Sequence, residues 1–132
     1  MTRVLMEIAS QLTTNEKVLS VARTGRRWGR HGVLVVTDHR LILCSKRRPR
    51  RPKSFHYATI NQVRSVNGKP DQIHVEFFHF NKKSGFVGLV VLNAERHLKI
   101  IKTALAAWWA ESWRMEQKMM SEYLRQAEEN NL

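Results

Sequence analysis

Acidic residues are what the middle of this 132-residue chain lacks. Between Thr13 and Leu92 stand sixteen Lys and Arg against only Glu16, Asp38, Asp71 and Glu76, so the whole formal excess of +12 sits there and the two ends are balanced. Four acids over that length make paired-carboxylate catalysis hard to assemble. Cysteine is nearly absent as well. Cys44 alone excludes an internal disulfide, and its place in an apolar run predicts a buried, inert thiol. The histidines (His31, His39, His56, His74, His79 and His97) fall at no metal-ligand spacing and beside no cysteine or carboxylate cluster, which argues against zinc. Gly25, Gly29 and Gly32 lack the GK[ST] ending and the following helix of a phosphate loop, so no nucleotide cofactor is expected, nor any other. With no catalytic constellation, the chain does not read as an enzyme. There is no run of about 18 apolar residues to span a bilayer. Glu7 interrupts the apolar part of the N-terminus and no small-residue cleavage site follows, so the expectation is a cytoplasmic protein, at most peripheral at the membrane.

What is present reads as one domain over residues 1–132. Val4, Leu5, Ile8, Ala9 and Leu12 recur at three- and four-residue spacing and predict a short helix over residues 1–12. Gly32 to Lys46 (GVLVVTDHRLILCSK) predicts a tight hairpin, two apolar β-branched runs broken at Thr37 to Arg40. Their near-continuous apolarity predicts strands buried along most of their length, as where a sheet curls over itself. A first strand is expected at Lys17 to Ala22, and later ones at Ser54 to Tyr57, Val63 to Val66, Gln72 to Phe80 and Phe86 to Leu92. Pro49 and Pro52 within KRRPRRPK predict an extended, solvated loop. Asn93 is a good N-cap, and the absence of Gly and Pro from Glu95 to Ala127 predicts a long helix over residues 93–129.

The order of several short words resembles a known family. A glycine, four apolar residues, Thr37-Asp38, one variable residue and Arg40-Leu41-Ile42 are similar to the second hairpin of bacterial PH-like domains, relatives of the pleckstrin-homology and GRAM folds. Asn15-Glu16-Lys17-Val18 resembles the family's GE-x-V first strand, with asparagine in place of glycine. Tyr57-Ala58-Thr59-Ile60-Asn61-Gln62-Val63 resembles its Tyr-x-x-Ile-x-x-Val step. The resemblance covers roughly Thr13 to Trp109. It implies a mostly β fold with an α cap: a PH-like bent seven-stranded antiparallel barrel over residues 16–92, a short N-terminal helix and a long C-terminal one. It also implies that the connections between strands one and two, three and four, and six and seven share one rim, here Gly25 to His31, Arg47 to Lys53 and Asn81 to Gly85.

All three of those stretches are basic. The candidate anion-binding set is Arg23, Arg26, Arg27 and Arg30; Lys46, Arg47, Arg48, Arg50, Arg51 and Lys53; and Lys82 and Lys83. Arginine outnumbers lysine in that set, which suits bidentate recognition of phosphate or carboxylate. Trp28 either packs down on the barrel or stands out as an interfacial aromatic. The expected function is a non-catalytic adaptor docking this rim on a polyanion, anionic lipid or nucleic acid, with solvated loop charge as the plain alternative. In the C-terminal helix Leu98, Ile101, Leu105 and Trp108 form a stripe suited to plug the barrel. Beyond it Trp109, Trp113, Met119, Met120, Tyr123 and Leu124 continue, either to pack against the N-terminal helix or to form an oligomer or protein-partner interface, with Trp109, Trp113, Met120 and Leu124 as the candidate interface set.

Overall fold

The structure is a computed structural model; it describes residues 2–25, 32–45, 48–78 and 85–131. The chain opens with α1 (Thr2–Gln11) and continues through β1 (Val18–Thr24), β2 (Gly32–Thr37), β3 (Arg40–Ser45) and β4 (Arg48–His56). A single 3-10 turn at Tyr57–Thr59 leads into β5 (Ile60–Val66), β6 (Lys69–Phe77) and β7 (Phe86–Val90), and α2 (Ala94–Asn130) ends the described chain. All strand pairs are antiparallel neighbours in sequence, forming one sheet ordered β1-β2-β3-β4 and a second ordered β5-β6-β7. The sheets are hydrogen-bonded at one corner, where the Gly25 amide donates to the Val90 carbonyl at 2.7 Å and the Leu92 amide to the Arg23 carbonyl at 3.0 Å. They do not close into the barrel that the resemblance implies. Instead α2 lies across the opening, with Ala94, Leu98, Ile101, Ala104 and Leu105 buried against Leu34, Leu41, Ile60, Ile73 and Val91.

The hairpin forms as its pattern predicts, with Leu34 opposite Leu43 and Val36 opposite Leu41. Its continuous apolarity has a different cause from a curling sheet. Alternate residues point to opposite faces: Leu34, Val36 and Leu41 enter the core beneath α2, while Val33, Val35, Ile42 and Cys44 form a second buried cluster with Ile8 of α1, flanked by Leu12. The strands are apolar on both faces because a helix covers each. Placing α1 on β3 and β4 corrects the expectation that it sits beside the outer half of α2.

Two local expectations also change. KRRPRRPK is not a free loop, since β4 pairs with β3 from Arg48 to His56. Its prolines are tolerated because β4 is an edge strand and both fall in a register shift: Ser45 faces Arg48 and Leu43 faces Lys53, so the four residues between lie outside regular pairing. Asn93 immediately precedes α2 but in the left-handed region, φ 57°, with no side-chain capping bond. Asparagine tolerates that conformation better than most residues, and here it turns the chain from β7 into the helix. The Asn67–Gly68 turn between β5 and β6 likewise needs the positive φ of Gly68, 75°.

Candidate functional surfaces

The residues that carry the family resemblance form a structural cluster. Glu16, its side chain 1 % exposed, accepts Arg40 Nε at 2.9 Å and Thr37 Oγ1 at 2.7 Å. Arg40 also donates to Ser54 Oγ and to the Gln11 carbonyl, both at 2.9 Å, so one guanidinium ties the end of α1 and the segment before β1 to β3 and β4. Burial alone would raise the Glu16 pKa; hydrogen bonds from Arg40, Thr37 and the Thr13 amide, with the Arg40 charge, outweigh it and hold the carboxyl below the usual carboxylate value. Asp38 acts as the turn residue its position suggests, accepting from the Lys17 amide at 2.9 Å. Tyr57 is fully buried and donates to the Thr37 carbonyl at 2.5 Å, its ionisation suppressed mainly by burial. Gly32 is required for close approach, since a Cβ there would lie 2.3 Å from the Cys44 carbonyl oxygen.

The basic residues divide differently. Arg26, Arg27, Arg30, Lys46, Arg47, Lys82 and Lys83, with Trp28, lie outside the described residues, as do the side chains of Arg48, Arg50 and Arg51. Their attachment points are defined. Thr24 pairs with Gly32, Gly32 with Ser45, and Ser45 with Arg48, so the β1–β2 and β3–β4 connections leave the first sheet from one row at one end. The β6–β7 connection leaves the second sheet beyond the Glu76–Phe86 pair. That is four residues along β7 from Val90, which bonds Gly25, or roughly 13 Å at about 3.3 Å per residue. Arg23 and Lys53 are exposed but are not brought together. Arg23 stands opposite Val33 on the face that α1 covers, and Lys53 opposite Leu43 on the inner face at the sheet edge.

Between β1 and the start of α2 runs a groove lined by Ser20, Arg23, Arg96 and His97. Ser20 Oγ and His97 Nδ1 are 2.5 Å apart, and the buried ring is held below the usual histidine pKa, first by burial and then by the Arg96 charge. His56 is lowered too, again mainly by burial, and its Nδ1 accepts the Ala58 amide at 3.0 Å as the cap of the 3-10 turn. Both rings favour the neutral form in the fold. The unfolded chain therefore binds more protons, and their contribution to stability, complete above the ordinary value of 6.5, is lost as pH falls below it. Tm is expected to fall between about pH 7 and pH 5, and less steeply in a His56→Gln/His97→Gln variant. A second loss follows below the ordinary 4.5 of Glu16, as pH falls through its depressed folded value. Identical profiles for the two proteins between pH 7 and pH 5 would refute the assignment to these rings.

With the sheets, the capping helix and the Glu16–Arg40 cluster in place, a sequence model described as "Bacterial PH domain" matches residues 12–102. The chain belongs to the bacterial PH domain family. The fold of this PH domain is also similar to the crystal structure of the C-terminal domain of an unknown protein from Leishmania infantum. That similarity has a TM-score of 0.57 at 18 % identity and covers 79 % of this chain and 93 % of the other. Comparison with curated proteins finds no match. Membership suggests a binding module in a family that is generally non-catalytic. No described helix is long and apolar enough to cross a membrane.

The outer half of α2 lies beyond the matched residues of this PH domain. Trp109 leans on Phe78 and Trp108, with ring centroids 6.0 and 5.0 Å away. Beyond it Trp113 (64 % exposed), Met120 and Leu124 stand in solvent on one face. Met119 and Tyr123, also in the apolar run read from the sequence, are exposed as well, Tyr123 three residues from Met120 on the same face and Met119 further round the helix. On the far side Arg114 pairs with Glu111, and Arg125 with both Glu122 and Glu129.

Proposed function

We propose that this PH domain is a non-catalytic docking module that attaches its basic sheet end to an anionic membrane surface. The observation that supports the reading best is the row Thr24–Gly32–Ser45–Arg48. It roots two strongly basic connections at one end of one sheet, in a chain whose only charge excess lies between Thr13 and Leu92. A plainer role exists for part of the charge, since cations and prolines on edge strand β4 discourage pairing with other chains. That role does not account for Arg26, Arg27 and Arg30, which belong to no edge strand described. Each basic side chain near an anionic surface contributes on the order of 1 kcal/mol, so the two connections together suffice for reversible attachment.

The test is flotation with phosphatidylcholine vesicles, with and without phosphatidylserine. Binding is expected only to the anionic vesicles. Replacing Arg47, Arg48, Arg50 and Arg51 with Gln is expected to weaken it on the order of a hundredfold or more. Tm should change little, because repelling cations contribute little to folding. Failure to float with anionic vesicles at about 100 mM salt would overturn the reading. So would nuclease-sensitive retention on nucleic acid instead, with log affinity falling linearly in log salt.

A further inference from the structure

We infer that the outer half of α2 is a self-association surface, and that its partner is a second copy of this chain paired antiparallel along Trp109 to Ala127. The spacing is that of a heptad seam. Trp109, Glu116 and Tyr123 occupy one core position of the repeat, and Trp113, Met120 and Ala127 the other, in alternating steps of four and three. The exposures agree, with Trp113 64 %, Met120 54 % and Tyr123 68 % accessible on a helix whose inner half is buried in its own domain.

Three features select a second copy over a different protein. The positions flanking the seam, where charge sets partner choice in paired helices, hold only Ala110, Ser112, Gln117, Met119, Leu124 and Gln126. Of the surrounding charges, Arg114 pairs with Glu111 and Arg125 with Glu122 and Glu129 on the same helix. Glu116 is therefore the one charged side chain within the seam, and no flanking charge repels its own copy or requires a complementary one. Antiparallel pairing centred on Lys118 also sets no seam residue against its own copy: Trp109 meets Ala127, the aromatics Trp113 and Tyr123 meet each other, and Met120 meets the stem of Glu116. Finally, the exposed side chains amount to several hundred Å² of mostly apolar surface per copy, given about 150–250 Å² for each aromatic. With Met120 and Leu124 added, two copies together approach the roughly 1,000 Å² that a specific interface needs.

Glu116 decides the orientation. Parallel helices would bring the two carboxylates into one core layer, whereas the antiparallel register separates them by four residues, about 6 Å along the axis.

The experiment is sedimentation of the intact chain across low to high micromolar concentrations, with Trp113→Glu and Met120→Glu beside it. A dimer is expected, with dissociation constants at least a hundredfold weaker in the variants. Because both side chains are exposed in the single copy, circular dichroism and Tm at low concentration should be unchanged. Nitroxide labels at Glu129→Cys, in a Cys44→Ser background, should be displaced by roughly 33 Å along the axis of the dimer. A monomer at all concentrations, or a dimer indifferent to both substitutions, overturns the proposal. Label separations short enough to place the two 129 positions side by side overturn the antiparallel pairing. A monomer that binds vesicles only while Trp113 is intact would assign the face to lipid instead.

Discussion

Replacing Glu16 with alanine is expected to remove about 3–5 kcal/mol of stability and to lower Tm by roughly 10–20 °C. The carboxylate is almost wholly out of water, and it compensates an Arg40 guanidinium whose side chain is only 19 % exposed. Deleting it strands that cation, leaves Thr37 Oγ1 without its closest partner and loosens the tie from the end of α1 to β3 and β4. The cost is thus the penalty of an uncompensated charge rather than the strength of one ion pair. A Glu16→Leu/Arg40→Met double variant should consequently be less destabilised than either single change, since a buried pair replaced by apolar groups is often near neutral. Equilibrium denaturation of the four proteins measures this directly. A loss below about 1 kcal/mol for Glu16→Ala would reduce the cluster to an ordinary surface ion pair.

The second large effect separates the two faces of β3. Leu41→Ala and Ile42→Ala are each expected to cost about 2–5 kcal/mol, the range for truncating a buried aliphatic side chain. Both residues are buried, at 0 % and 1 % exposure, but against different partners. Leu41 belongs to the core beneath α2, whereas Ile42 packs with Val33, Val35, Cys44 and Ile8 beneath α1. The Ile42 variant should therefore raise hydrogen exchange first in α1, with the sheet still protected. The Leu41 variant should lower protection throughout both sheets. Early exchange in α1 from the Leu41 variant alone would contradict this division of the core.

How much of this was legible depended on whether the signal was local. The hairpin was readable because each of its runs is short and apolar and the break between them opens on Thr37, whose hydroxyl accepts the nearby His39 and Arg40 amides. The depth of Cys44 was readable because a thiol in an apolar strand has little reason to be elsewhere. The motif residues identified the family, but not what they do: the contact between Glu16 and Arg40 spans 24 positions and exists only once β1 and β3 lie in one sheet. Most of the candidate anion-binding side chains lie outside the described residues, and only the register of the strands that carry them is defined. For the helix extension the reverse holds. Its apolar spacing was plain, and the structure supplied the fact that α1 does not cover it.

The sequence by itself determined most of the strand and helix segments, the first half of β4 excepted, the excess of positive charge between Thr13 and Leu92, and the amphipathic character of both halves of α2. Each of these follows from side-chain periodicity and backbone preference within a few neighbouring residues. Tertiary structure alone decided which apolar faces meet. It put α1 rather than α2 behind β2 and β3, and it admitted Pro49 and Pro52 to a strand because that strand is an edge. It also left two sheets joined at the Gly25–Val90 corner, with α2 between them in place of a closed barrel. The physical reason is that burial is non-directional: an apolar stripe specifies that something must cover it, and only the geometry of the assembled chain specifies what.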